Sequence, residues 1–224
     1  MVKFKKTKSA INDLLQVMAA LRSPQGCPWD REQDHMSLRF HAVEEVYELI
    51  DAIESGDDAE LSEELGDLLL QVVFHCQLAR ERDAFDFEKV AREMTEKLLR
   101  RHPHVFGDSN AKTVDAVWAQ WEQIKKAEKQ GTHRERTSAL DGIPKHLPAL
   151  MRAEKLIKKA RKAKLLKEPK SQSKTQKQLA EELYRLTEYA QSKGWSAEEL
   201  LRRELKKRET IWREQENHEA GKDA

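Results

Sequence analysis

Apolar residues return at three- to four-residue spacing along nearly the whole chain, and only eight Gly and six Pro in 224 residues interrupt them. That spacing lines one face of a helix. Breakers at roughly half their usual share leave few places to turn back, so the pattern demands long helices on short connections. The expected fold class is all-α. Helical patterns cover 9–22, 36–54, 58–82, 86–101 and 112–129; beyond a mostly irregular bridge come three more, at about 147–167, 176–192 and 196–218. Between the first two, "SPQGCPWD" reads as a loop. In "SGDD", Gly56 suits a helix C-terminus and Asp57 or Asp58 the next N-terminus.

Charge is spread unevenly along this chain. Its net value is +1, yet residues 151–174 hold ten Lys and Arg against two Glu, while residues 43–73 hold eleven Asp and Glu and no base at all. The base-free stretch runs from Phe40 to Ala79; with 41 Lys and Arg in 224 residues, composition alone would place about seven there. Solvated helices normally mix the two signs in i, i+4 pairs, and here that support is withheld.

Helical geometry gathers these carboxylates. With Glu44 at zero and about 100° per residue, Glu48 falls near 40° and Glu45 near 100°, whereas Leu49, Ile53, Val46, Ile50 and Val43 occupy roughly 140–260°. On the next helix Glu63, Asp67 and Glu64 share one arc. The run "LLLQVVFHCQLA" after Asp67 is apolar almost all round, so this helix is expected to be buried along most of its length. A solvated acidic face is the plain alternative. Against it stand the missing bases, the expense of unpaired carboxylates on a buried helix, and Gly66, which costs a helix about 1 kcal/mol unless something approaches the backbone there.

All-oxygen donors, with no Cys and no His at a matching spacing, select a hard cation such as Mg²⁺ or Mn²⁺. Magnesium held by a few carboxylates usually completes its shell with substrate phosphates, so a polyphosphate substrate is expected. Glu32 and His35 form an E-x-x-H, but a di-iron carboxylate bundle needs two such motifs and no second is present. Cys27 and Cys76 imply neither a disulfide scaffold nor a zinc site. No apolar run reaches membrane length, and the basic start leads into an amphipathic helix, so a cytoplasmic protein with no membrane partner is expected.

E-x-x-E (Glu45, Glu48), fifteen intervening residues and E-x-x-D (Glu64, Asp67) resemble the signature of the MazG-like, all-α nucleoside triphosphate pyrophosphohydrolases. "GCPWDREQ", "EELGDLLLQVVF", "KLLRRHPHVFGD", "WEQIKKAE" and "SALDGIPKHLPALMRAEKLIKKA" are similar to that family too, and together span about residues 9–165. The resemblance implies a four-helix-bundle-like domain that forms a homodimer. It also implies Mg²⁺-dependent cleavage of nucleoside triphosphates between the α and β phosphates. Glu45, Glu48, Glu64 and Asp67 match the metal ligands; Glu44, Glu45 and Glu63 are the catalytic candidates, as further ligands or as the base for the attacking water. Lys97 and Arg101 match phosphate-gripping residues, and Trp121 with Lys125 a base-stacking aromatic and a nearby cation. His41, one turn before Glu44, is a candidate phosphate contact. Solvated helix charge for each base, and core packing against Trp118 for Trp121, are the alternatives. His102 and His104 read as a structural turn.

The last third departs from the two-domain members of that family. "AEELYRL" sets Arg185 where they carry the Asp, and no E-E-x-x-E precedes it. A guanidinium repels a cation, so a second copy here is expected to be dead. The expected organisation is a catalytic helical domain at 9–130, a linker at 131–150, a degenerate second helical region at 151–218 and a disordered tail at 219–224. Two other readings stand beside the enzyme. One is an inactive helical interaction protein whose 151–174 segment binds nucleic acid, disfavoured because no aromatics interleave the bases. The other is a relative confined to dUTP or phosphoribosyl-ATP, against which "RRHPHVF" and "WEQIK" argue.

Overall fold

The computed structural model describes residues 6–132, 135–167 and 174–220. Ten helices and no strand occur among the described residues. The chain divides into two compact units, residues 1–121 and 122–224. Residues 221–224 of the expected tail lie outside the described residues, and α10 runs to Ala220.

In the first unit, α1 (Ala10–Leu21) packs on α4 (Asp58–Arg80), which also pairs with α3 (His41–Ser55) and α5 (Phe87–Arg101). The caps are written in the sequence. Ser9, Asp57 and Asp86 accept hydrogen bonds from the backbone N–H of Asn12, of Ala59 and Glu60, and of Lys89, satisfying donors that the first turns of α1, α4 and α5 leave open. Gly56 takes the left-handed conformation (φ 73°), so α3 turns into α4 with only Gly56 and Asp57 between them. Met18, Leu38, Val73, Phe74 and Leu78 form the core, with Ile11, Leu14, Leu15, Leu70 and Phe87 around it.

Three local features differ from the sequence reading. The expected loop "SPQGCPWD" contains the start of a short helix, α2 (Pro28–Glu32), and "RRHPHVFGD" contains another, α6 (Pro103–Phe106). Each begins on a proline, whose missing N–H is no loss in a first turn. The second long helix begins at His41, not Met36, because Asp34 Oδ1 accepts from the backbone N–H of Met36 and Ser37, both at 2.7 Å, and holds 35–40 as turns. The third difference concerns burial. Only the second half of α4, from Gln71 onward, supplies core residues, while Leu65, Leu69 and Val72 are exposed on one side. The approach expected at Gly66 is made by none of the described residues, since a Cβ there would meet nothing within 4 Å.

α7 (Val114–Ala127) runs across the division between the units. In the second unit α8 (Ala149–Lys162) packs chiefly on α10 (Ala197–Ala220), around Leu140, Leu156, Leu205 and Trp212. Arg152, 7% exposed, bonds Glu209 at 2.5 Å; Glu209 also takes Arg213, which reaches Asp141 at 2.8 Å. α9 (Gln176–Ser192), opened by a Thr175–Gln178 capping box, buries Ala190 alone.

Candidate functional site

The tight Gly56–Asp57 turn folds α3 back along α4, so that the start of α3 meets the middle of α4. Carboxylate oxygens of Glu45, Glu48 and Glu64 lie within 4.8 Å of one another. No Lys or Arg stands among them in sequence; the Gln71 amide reaches them, its Nε2 donating to Glu45 Oε1 at 3.1 Å. Burial, followed by repulsion from Glu45 and Glu44, pushes the Glu48 carboxyl above the usual range. Burial, then repulsion from Glu48 and Asp67, does the same to Glu64. Asp67 thus sits close enough to be felt by both, without an oxygen in the tight trio. Glu64 Oε2 is shielded from solvent and has no hydrogen-bond partner among the described residues.

Such a cluster has two ways to lose its repulsion: taking up protons or taking up a cation. Its donors are oxygens at a spacing that one ion can bridge, and two helices fix them. They fit a hard divalent cation.

The remaining candidates fall into two groups. Glu44 and Glu63 flank the trio on exposed positions, Glu44 with its carboxylate 3.6 Å from His41 Nδ1. His41 therefore faces Glu44, at the rim of the cluster. On α5, Lys97 and Arg101 are half-buried one turn apart, and the Arg101 guanidinium lies over the Trp121 ring at 5.4 Å. Trp121 meets Trp118 edge-on at the same centroid distance, 5.4 Å, so stacking on Arg101 and contact with Trp118 coexist. Lys125, four residues along α7, pairs with Glu122 at 3.2 Å.

Two polar groups of this region escape a reading of acidic motifs. Gln71 is 8% exposed, one turn beyond Asp67. His75, one turn further, stacks on His35 with Nδ1 atoms 2.8 Å apart, and burial followed by the charge of His35 lowers its pKa. The signal for both was the i, i+4, i+8 series from Asp67 along an apolar helix.

Residues 33–106 match the MazG nucleotide pyrophosphohydrolase domain. The chain is 49% identical over 150 residues to a nucleoside triphosphate pyrophosphohydrolase of Escherichia coli K12, covering 66% of this chain and 56% of that protein. It is 49% identical over 148 residues to the nucleoside triphosphate pyrophosphohydrolase/pyrophosphatase MazG of Thermotoga maritima, covering 66% and 55%. The nucleoside triphosphate pyrophosphohydrolase of Mycolicibacterium smegmatis is 40% identical over 155 residues, 68% of this chain and 46% of that protein. The matched region thus spans about half the length of these relatives. With the paired carboxylate helices inside the matched segment, residues 33–106 of this chain are a domain of the MazG nucleotide pyrophosphohydrolase family.

Proposed function

We propose that this chain hydrolyses nucleoside triphosphates to the monophosphate and pyrophosphate, with Mg²⁺ or Mn²⁺ held by Glu45, Glu48, Glu64 and Asp67. The observation that carries this reading is the trio of carboxylates within 4.8 Å on two helices, in a stretch free of Lys and Arg. The names of the relatives support the same substrate class. The cation, when bound, offsets the charge on the α-phosphate and on the leaving pyrophosphate. The chain's own groups do the rest. Water oxygen bonds to the α-phosphorus, the bridging oxygen leaves with the β-phosphate, and the water's proton passes to a carboxylate, Glu44, Glu45 or Glu63. Lys97 and Arg101 grip phosphate oxygens, Trp121 stacks on the base and Lys125 adds a cation; His41 faces Glu44 through Nδ1 and offers Nε2 to phosphate.

A nucleotide panel assayed with Mg²⁺ tests the proposal. Pyrophosphate should be the first product, and chelation with EDTA should stop its release until Mg²⁺ is restored. Orthophosphate as first product, or turnover indifferent to EDTA, would defeat it.

The active form in this reading is a homodimer. α3 leaves Tyr47 51% and Ile53 58% exposed beside Val43, Val46 and Ile50, and α4 adds the exposed Leu65 and Leu69, apolar groups of the kind that mark an interaction surface. The chain should sediment at twice its 26.1 kDa mass. A Val46→Glu/Ile50→Glu double variant should sediment as a monomer with its helix content retained; an unchanged dimer would place the interface elsewhere. Nucleic acid is not a partner in this reading, since no aromatic residue interleaves the basic segment; within it Arg152 and Lys159 are engaged internally, Lys159 with the Ala139 and Asp141 carbonyls. No described helix is long and apolar enough to cross a membrane, in keeping with a cytoplasmic enzyme.

A further inference from the structure

We infer that Gln71 is a positioning residue of the carboxylate site: its Nε2 fixes Glu45, and its Oε1 accepts a hydrogen bond from a water hydrating the cation. This rests on the metal-site reading above. Gln71 lies four residues after Asp67 and seven after Glu64, hence on the α4 face that carries both. In the run Leu68–Phe74 it is the one polar residue, and at 8% exposure it is buried, as are Val73 and Phe74, while Leu69 and Val72 are exposed. A buried side-chain amide normally has both ends paired, since each unmet end keeps the full cost of leaving water. Here Nε2 is paired with Glu45 and Oε1 has no donor among the described residues. Leucine would fill the same space without that penalty, so packing does not account for the amide.

Electrostatics accounts for it. A Lys or Arg at this place would orient Glu45 but neutralise the charge that attracts the cation. An amide orients the carboxylate and leaves its charge intact. Its free carbonyl then matches the other orphan acceptor on the same helix, Glu64 Oε2. Both await donors that no described residue supplies, and the hydration shell of a divalent cation is a source of them.

Gln71→Met keeps the volume and removes both hydrogen bonds; Gln71→Asn keeps an amide that is too short to reach Glu45. Calorimetric titration of the full chain with MgCl₂ alone should show each variant binding roughly 10–100-fold more weakly than the parent. The half-saturating Mg²⁺ concentration for turnover should rise by the same factor, with the KM for nucleotide at saturating Mg²⁺ unchanged. The Gln71→Met melting temperature in EDTA should be no lower than the parent's, the opposite of what loss of a mere α3–α4 clamp would give. Parent-like Mg²⁺ affinity in either variant that folds overturns the inference while leaving the metal site standing. Absence of Mg²⁺ uptake by the parent itself overturns the metal-site reading, and this inference with it.

Discussion

Glu64→Gln should release pyrophosphate on the order of a thousandfold more slowly than the parent chain, while melting at a higher temperature in EDTA at neutral pH. The two effects have one cause. Glu64 is nearly isosteric with Gln, so the substitution removes charge and little else. In the metal-free chain that charge is unfavourable: burial and the carboxylates of Glu48 and Asp67 push its pKa up. A carboxyl whose folded pKa lies above the unfolded value stabilises the fold only at low pH, and that contribution is lost as pH rises through the folded value. Wherever Glu64 is ionised the parent therefore carries this repulsion, and Gln relieves it. The gain should shrink as pH falls and Glu64 takes up its proton. With the cation present the order reverses, since the variant has lost a ligand and Mg²⁺ should raise its melting temperature far less than the parent's. Parallel melts with EDTA and with Mg²⁺, beside the product assay, check each part. A variant that is both inactive and destabilised in EDTA would mean that Glu64 holds the fold together, not a cation. Such opposition between stability and activity is expected where function requires like charges side by side.

The sequence was most informative where local chemistry decides structure. α1, α4, α5 and α9 begin within a residue or two of their expected starts because Ser9, Asp57, Asp86 and Thr175 are caps that act over three residues. The carboxylate trio was legible for the same reason, since helical spacing alone aligns Glu45 with Glu48 and Glu64 with Asp67. The meeting of the two sets across α3 and α4 is what the structure adds. Gln71 and His75 were not legible, because their roles depend on which residues of α3 and of the 35–40 turns come to rest against α4. The burial of α4 was over-read: an all-round apolar helix says that every face is covered, without saying by what. Within the chain, the Leu65–Leu69 side stays uncovered. The proposed dimer would supply the cover, and with it the neighbour that Gly66 lacks.

Arg22→Met should lower the unfolding free energy of the first unit by about 2–3 kcal/mol at neutral pH. Arg22 caps α1, its side chain is 8% exposed, and its guanidinium lies 5.5 Å from the Phe74 ring centroid. Nε and Nη2 fork onto Glu81 at 2.8 and 2.7 Å, while Nη1 donates to the Gln33 carbonyl at 3.2 Å and to that of Asp30. One side chain thus ties the ends of α1 and α2 to the end of α4, and methionine fills the space but makes none of these bonds. The Glu81 share is discounted because that carboxylate, 36% exposed, can rehydrate when its partner goes. The carbonyls of the α2 end account for the larger part. A pH series separates the two. The hydrogen bond from Arg22 holds the Glu81 pKa below the usual range, so this pair stabilises fully above the unfolded carboxylate value of about 4.3. Its contribution is lost as pH falls through the lowered folded value. Urea unfolding of parent and variant should therefore show a gap that is constant from neutral pH down to about 5 and narrows below about 4. It should not close, because the carbonyl bonds do not titrate. A gap that vanished at low pH would make the Glu81 fork the whole of the effect; one that never narrowed would make it none.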